Sequence, residues 1–332
     1  MCIRDSDQQE AGGEGMRAVL GIDTSCYTTS AALVTPEGEL LASCRRLLTV
    51  EEGERGLQQS QGLFQHVRNL PQMIAGVMEA APEAEICAVC ASTRPRPAEE
   101  SYMPVFRAGE SQARAAAALL RAPFYPVSHQ EGHIRAALVD SGIDEAQPFL
   151  ALHLSGGTTE LLLDRDGELT LLGGSLDLHA GQLVDRTGVR MGLGFPAGPA
   201  LERLARQGTA QGRIGVSIKG MSCNLAGAEN KTARWLEQGE LTREDIACEV
   251  FDFLGRTILR MIEAACAETC CRQALLAGGV ASSGLLKDMM LRRARKRGLP
   301  CRLCFARPEL SGDNAVGVAL LGARAYQRKQ TD

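Results

Sequence analysis

Two stretches of the chain, about 130 residues apart, carry the same alternation of apolar and polar positions. "AVLGIDTSCYTTSAALVTPEGELLASC" (18–44) and "FLALHLSGGTTELLLDRDGELTLLGG" (149–174) each spell an apolar strand, a loop of small hydroxyl residues, a second strand, a turn containing "GEL", and a third strand. Each half of the chain is therefore predicted to open with the same three-stranded meander. Helical periodicity follows each meander, at about 60–80 and 111–121 in the first half, and at 178–190, 197–206, 243–269 and 284–297 in the second. Further apolar strands, "ICAVCAS" (86–92) and "QALLAGG" (273–279), lie between the helices.

Strands alternating with helices predict α/β layers. Two such halves describe the actin-like, sugar-kinase and Hsp70 (ASKHA) type of fold, in which two duplicated lobes face a central cleft. In that architecture, hydroxyl- and glycine-rich turns wrap a nucleotide's phosphates with backbone N–H groups. "DTSCYTTS" (23–30), "SGGTT" (155–159) and "AGGV" (277–280) supply such turns at equivalent places in the repeat. The 332 residues suit two lobes of roughly 150 each. The expected division is an N-terminal lobe over 16–127 and a C-terminal lobe over 128–332, with the last helix packing back on the first lobe. The polar, aperiodic start "MCIRDSDQQEAGGEG" (1–15) reads as a disordered leader or an assembly scar ahead of Met16.

Composition removes several function classes. Hydrophobic residues make up 45% and charged ones 23%, and no apolar run approaches the ~20 residues that a bilayer requires, so no membrane association and a cytoplasmic location are expected. The net charge of −4 argues against a protein that coats nucleic acid, although a local patch can still hold tRNA. "LRRARKRG" (291–298) is such a patch, but cations at a helix C-terminus also match the helix dipole, and that plainer account is preferred. Twelve cysteines include two CxxC pairs, Cys87/Cys90 and Cys301/Cys304. Both pairs sit in strand-like segments, where i and i+3 face opposite ways and chelate poorly, so reduced and mostly buried thiols are expected.

"SHQEGH" (128–133) carries the sharpest chemistry. Ser128 and Glu131 form a capping box that starts a helix. His129 and His133 then lie one turn apart on one face, the spacing that lets two imidazoles share a metal. Gly132 weakens such a helix, which implies that something approaches its backbone closely. A metalloprotease needs glutamate directly after the first histidine, and here that place holds Gln130. Asp313, at the expected N-cap of the last helix, is a candidate third ligand or simply a cap.

"HQEGH", "LSGGTTELLL", "FPAGPALERLARQG", "LLAGGVASSGLLK" and "FARPELSGDNAVGVALLGA", in that order, resemble the tRNA threonylcarbamoyladenosine transferase family, formerly called glycoprotease, over 17–326. The resemblance implies transfer of a threonylcarbamoyl group from its adenylate to N6 of adenosine 37 in tRNA. It also implies one divalent metal (iron or zinc, with magnesium as an alternative) on His129, His133 and Asp313. ATP or an acyl-adenylate would lie on His153, Leu154, Ser155, Gly156, Gly157, Asp185 and Gly198, and the strand-end loop adds Gly278, Gly279 and Ser283. Asp23 and Ser25 are the catalytic candidates, with Tyr27, Thr28, Thr158 and His179 as further cleft residues. Expected partners are tRNA and a second actin-like chain, paralogous or identical, bound through the N-terminal lobe.

This chain departs from the family pattern where the family is acidic. "ETSCDET" is replaced by "DTSCYTTS", placing Tyr27 and Thr28 at two acidic positions, and "DDAAGEAFDK" by "DLHAGQLVDR", with Gln182 at a third. "SGGHT" has become "SGGTT", the "AGPG" loop "STRPRP" (92–97), and the asparagine after "GGVSA" is Ser283. A paralogue using another acyl group or acceptor, or a nucleotide-binding partner subunit without catalysis, therefore stands beside the transferase. A phosphoryl-transfer ATPase is disfavoured because Asp23 is the one acid in its loop.

Overall fold

The computed structural model describes residues 15–50, 57–98 and 100–331, and the expected leader, apart from Gly15, lies outside them. It divides into two compact units, Met1–Ala136 with Gly312–Asp332, and Ala137–Ser311. The boundary expected after residue 127 is thus corrected to 136/137, and the last helix belongs to the first unit. The reason is physical: the helix carrying the two histidines packs on that last helix.

In the first unit, β1 (Met16–Thr24), β2 (Thr28–Val34) and β3 (Leu40–Leu47) form the predicted meander. After α1 (Gln59–Ala80) come β4 (Ala84–Arg94), α2 (Phe106–Leu120), β5 (Phe124–Ser128) and α3 (His129–Leu138). β4 joins β1 in parallel and β5 joins β4 in parallel, giving the order β3-β2-β1-β4-β5. Alternation along β1 assigns its two faces. Ala18, Leu20 and Ile22 pack into the core with Leu70, Met73 and Val77 of α1 and with α2 alanines. Val19 and Gly21 face the last helix instead, where a Cβ at Gly21 would sit 2.5 Å from the backbone nitrogen of Ala319.

The second unit repeats the plan. β6 (Phe149–Leu154), β7 (Thr159–Arg165) and β8 (Glu168–Gly174) form the meander, followed by α4 (Ala180–Arg190), α5 (Gly198–Ala205), a short hairpin β9 (Ser217–Lys219) and β10 (Ser222–Asn224), α6 (Ala226–Gln238) and α7 (Arg243–Thr269). Then β11 (Gln273–Ala277), α8 (Gly284–Arg297) and β12 (Arg302–Phe305) complete it, and α9 (Val316–Thr331) returns to the first unit. The sheet order β12-β11-β6-β7-β8 has the same parallel pairs after the meander, so the duplication read in the sequence is structural. α7 is buried on nearly every side because it fills the core of this unit.

The cysteines and the basic run find plain roles. Among the described residues ten cysteines are free thiols, most of them buried, as expected. In the basic run, Arg293 pairs with buried Asp252 and Arg297 with Glu263, and Gly298 ends the helix in the left-handed conformation. No helix among the described residues is long and apolar enough to cross a membrane.

Asp177 fastens the end of β8 to the start of α6. Its carboxylate accepts N–H bonds from Leu178 (2.6 Å), Leu225 (2.8 Å) and Ala226 (3.3 Å) and one from the Asn224 side chain (3.1 Å). Burial alone would raise its pKa, but these bonds outweigh it and hold the carboxyl below its ordinary value. A depressed folded-state pKa contributes stability above the unfolded value of about 4, which is lost as pH falls through the folded value. Asp177→Asn is therefore expected to melt below wild type at about pH 7 and to converge on it towards about pH 3, which thermal melts across that range will check.

Candidate functional site

The capping box forms as read: Ser128 Oγ accepts from Glu131 N (3.2 Å) and Glu131 Oε2 accepts from Ser128 N (2.7 Å). It starts α3 directly at the end of β5, so His129 and His133 project one turn apart at the carboxyl end of the first sheet. Gly132 has its explanation here, since a Cβ at that position would lie 2.8 Å from Cγ2 of Val318 on α9. The two helices cross almost backbone to backbone.

That crossing delivers Asp313. The N-cap expected at Asp313 is instead Asn314, whose Oδ1 accepts from Val316 N at 3.0 Å. Freed from capping, Asp313 Oδ1 lies 3.0 Å from His133 Nε2 and 3.8 Å from His129 Nε2. One ligand atom from each of the three residues falls within 4.8 Å of the others, the one such His/Cys/Asp/Glu group of three among the described residues.

Both tentative catalytic residues sit around this triad. Asp23, fully buried at the end of β1, has Oδ1 2.9 Å from His129 Nδ1 and accepts the Ser92 hydroxyl of β4 on the same oxygen. Ser25 donates its hydroxyl to Asp313 Oδ2. His66 of α1 was not singled out by sequence, because it reads as one more residue of a buried helix face. It lies 2.8 Å from both Thr29 Oγ1 and the Ser25 carbonyl, clamping the turn that presents Asp23 and Ser25. Of the neutralised positions, Thr28 is buried and closes that turn through its carbonyl, while Tyr27 is half exposed.

The electrostatics match the geometry. Burial pulls the His129 pKa down, but the charges of Asp23 and Asp313 outweigh it and lift the imidazole to about 9. Burial pushes Asp313 up, yet the His133 hydrogen bond, the charges of both histidines and the Ser25 hydroxyl hold it far below the usual carboxylate range. Two imidazoles and an ionised carboxylate gathered this closely are suited to a divalent cation. The donor set fits such a metal, since His129 already has its Nδ1 occupied by a carboxylate and its Nε2 turned to the other ligands.

In the second unit, a cavity of about 460 Å³ is lined by six expected nucleotide residues: Ser155, Gly156, Asp185, Gly198, Gly279 and Ser283. The remaining expected residues do not line it. Leu154 is core, and its carbonyl accepts from Val280 N at 3.0 Å; His153 pairs in register with Ala277 within the sheet. Gly278 is needed for its left-handed φ of +97°, and Gly157 does not line the cavity. Thr158 closes the β6–β7 turn through its carbonyl. His179 and Gln182 cap α4, with His179 N donating to Gln182 Oε1 at 3.2 Å. A Cβ at Gly181 would come within 2.6 Å of Gly156 N, so the start of α4 can meet the β6–β7 turn only as glycine.

The cavity walls that sequence reasoning did not identify are Val184, Pro196, Glu202 and Phe251, among others. Apolar positions on α4 and α7 carry no signal separating a cavity wall from core. Asp185, inside the cavity, has its pKa raised by burial, partly offset by N–H bonds from Ala197 (2.8 Å) and Gly198.

Two mixed α/β sheets of one topology, each with its helices, define an actin-like, sugar-kinase type of protein, here with a His–His–Asp cluster in one unit and a glycine-rimmed cavity in the other. The family model for tRNA N6-adenosine threonylcarbamoyltransferase (TsaD) matches residues 63–320, and the chain belongs to that family. Among curated relatives, a tRNA N6-adenosine threonylcarbamoyltransferase of Methanopyrus kandleri is 29% identical over 314 residues, covering 93% of this chain and 87% of its own length. Among solved structures, T. kodakarensis HypF superposes with a TM-score of 0.63 at 14% identity, over 95% of this chain and 48% of that one. A ROK family glucokinase from Streptomyces griseus gives 0.53 at 14% identity, over 92% and 99%. These structural likenesses bear on the fold alone.

Proposed function

We propose that this chain transfers a threonylcarbamoyl group from threonylcarbamoyl-adenylate to N6 of adenosine 37 of tRNA. The observation that carries this reading is the assembled triad of His129, His133 and Asp313 in a chain of the transferase family. The three residues would hold one divalent ion, and two imidazole donors favour iron or zinc over magnesium, which prefers oxygen ligands. Bound there, the metal supplies Lewis acidity towards the carbamate carbonyl. Gly156 offers an unhindered backbone N–H group to the phosphate beside the Ser155 side chain, and Asp185 accepts ribose hydroxyls. Val184 and Phe251 give the base an apolar wall.

A second reading is favoured by Tyr27, Thr28 and Gln182, neutral where the family pattern is acidic. A paralogue with the same metal and adenylate sites but another acyl group or acceptor would be built this way. A binding-only partner of another actin-like chain has less use for a complete triad. The deciding experiment measures metal content and asks whether the protein restores threonylcarbamoyladenosine to the tRNA of a cell lacking the normal enzyme. Rescue by wild type and not by H129A supports the transferase, and bound metal without rescue supports the paralogue.

The adenylate site has its own test. Ser282 lies exposed on the cavity rim, so Ser282→Trp is expected to fill the opening without entering the core. Affinity for an adenine nucleotide, by titration calorimetry, should fall about tenfold or more, with the melting temperature nearly unchanged.

A further inference from the structure

Asp23 occupies none of the three metal-binding positions, yet it is the most enclosed charge at the centre. Its side chain has no exposure, and among the described residues its one ion pair is with His129. Oδ1 accepts the Ser92 hydroxyl and faces His129 Nδ1, while Oδ2 is buried with no hydrogen-bond partner. A carboxylate withdrawn from water is strongly unfavourable unless a positive charge stands close. The closest route for such a charge is the His129 ring, through an ion on its Nε2. An Nδ1–H donated to Asp23 also leaves the Nε2 lone pair free, facing Asp313 and His133.

The placement is built into the sheet. Ser92 and Asp23 come from the adjacent parallel strands β4 and β1, and the Ser30 hydroxyl of β2 donates to the Asp23 carbonyl at 3.3 Å. Ser25, two residues on, holds the second oxygen of Asp313. One strand end therefore orients two ligands that arrive on separate helical segments.

We propose that Asp23, held by Ser92, is a positioning residue of the metal centre, fixing the ring orientation and tautomer in which His129 binds a divalent cation. The proposal rests on the metal-site reading of the triad, and its test keeps the two apart. Wild type, D23N and H133A are titrated with Zn²⁺ against a competing chelator, and their Co²⁺ forms are compared by visible absorption. Asparagine matches the shape of aspartate, so a merely structural role leaves metal affinity unchanged. Positioning instead lowers Zn²⁺ affinity ten- to hundredfold in D23N and shifts the cobalt bands, with the circular dichroism retained.

D23N binding within about twofold of wild type, with the same cobalt spectrum, overturns the proposal. If D23N does not fold, S92A serves in its place: it keeps the carboxylate but frees it to turn, and a loss of about three- to tenfold is expected, with wild-type affinity overturning the proposal. Wild type that takes up neither ion removes the metal centre itself, and Asp23's role with it.

Discussion

His129→Ala is expected to abolish stoichiometric metal binding and with it any transfer activity, while also lowering the stability of the metal-free protein. The first effect follows from donor count. Three protein ligands are the minimum seen in catalytic zinc sites, and losing one should exceed the ten- to hundredfold loss that accompanies loss of an outer-shell partner. The second follows from Asp23, which keeps its buried carboxylate but loses the imidazole that faces it. Breaking a buried pair from one side typically costs about 3–5 kcal/mol, because the remaining charge is uncompensated. Metal analysis of the purified variant checks the first effect. The second is checked by denaturant melts of the metal-free proteins, in which adding D23N to H129A should recover part of the loss. H129A with full metal would remove the site.

Gly317→Ala is expected to be the most damaging glycine-to-alanine change among the described residues. Gly317 begins α9 against α3, where a Cβ would overlap the Gly132 carbonyl oxygen and lie 2.6 Å from Ala136 N. Backbone atoms cannot swing aside as side-chain tips do, so the two helices must separate. Overpacking of this kind costs about 1–3 kcal/mol, and rigid neighbours on both sides place G317A at about 3 or above. Since the same crossing brings Asp313 to the histidines, metal affinity should fall along with stability, although the variant touches no ligand. Urea melts together with the zinc titration will test both outcomes.

The architecture was legible where local pattern alone decides it. The two meanders stood out because strand alternation and hydroxyl turns repeat, and α7 because 27 residues of helical pattern exceed any strand. The β9–β10 hairpin was missed because three-residue strands are too short to alternate, and α6 because its apolar positions are sparse. At the site, the histidine pair was readable from the i, i+4 spacing, whereas position alone left Asp313 open between third ligand and helix cap, and the resemblance favoured the ligand. Its release from capping depends on Asn314, one residue along, which no spacing rule separates from Asp313. The link from Ser92 through Asp23 to His129 joins residues 69 and 106 positions apart and exists only once β1, β4 and β5 lie side by side.

The unit that holds the triad is also the one whose chain is interrupted. Its sheet and both histidines are in place by Ala136, but Asp313 and α9 follow only after the whole of Ala137–Ser311. During synthesis the second unit can therefore collapse on its own core while the first still exposes the β1 face that α9 will cover. The triad is therefore one of the last features the nascent chain completes, and a chain that ends before Asp313 has both histidines and no third donor.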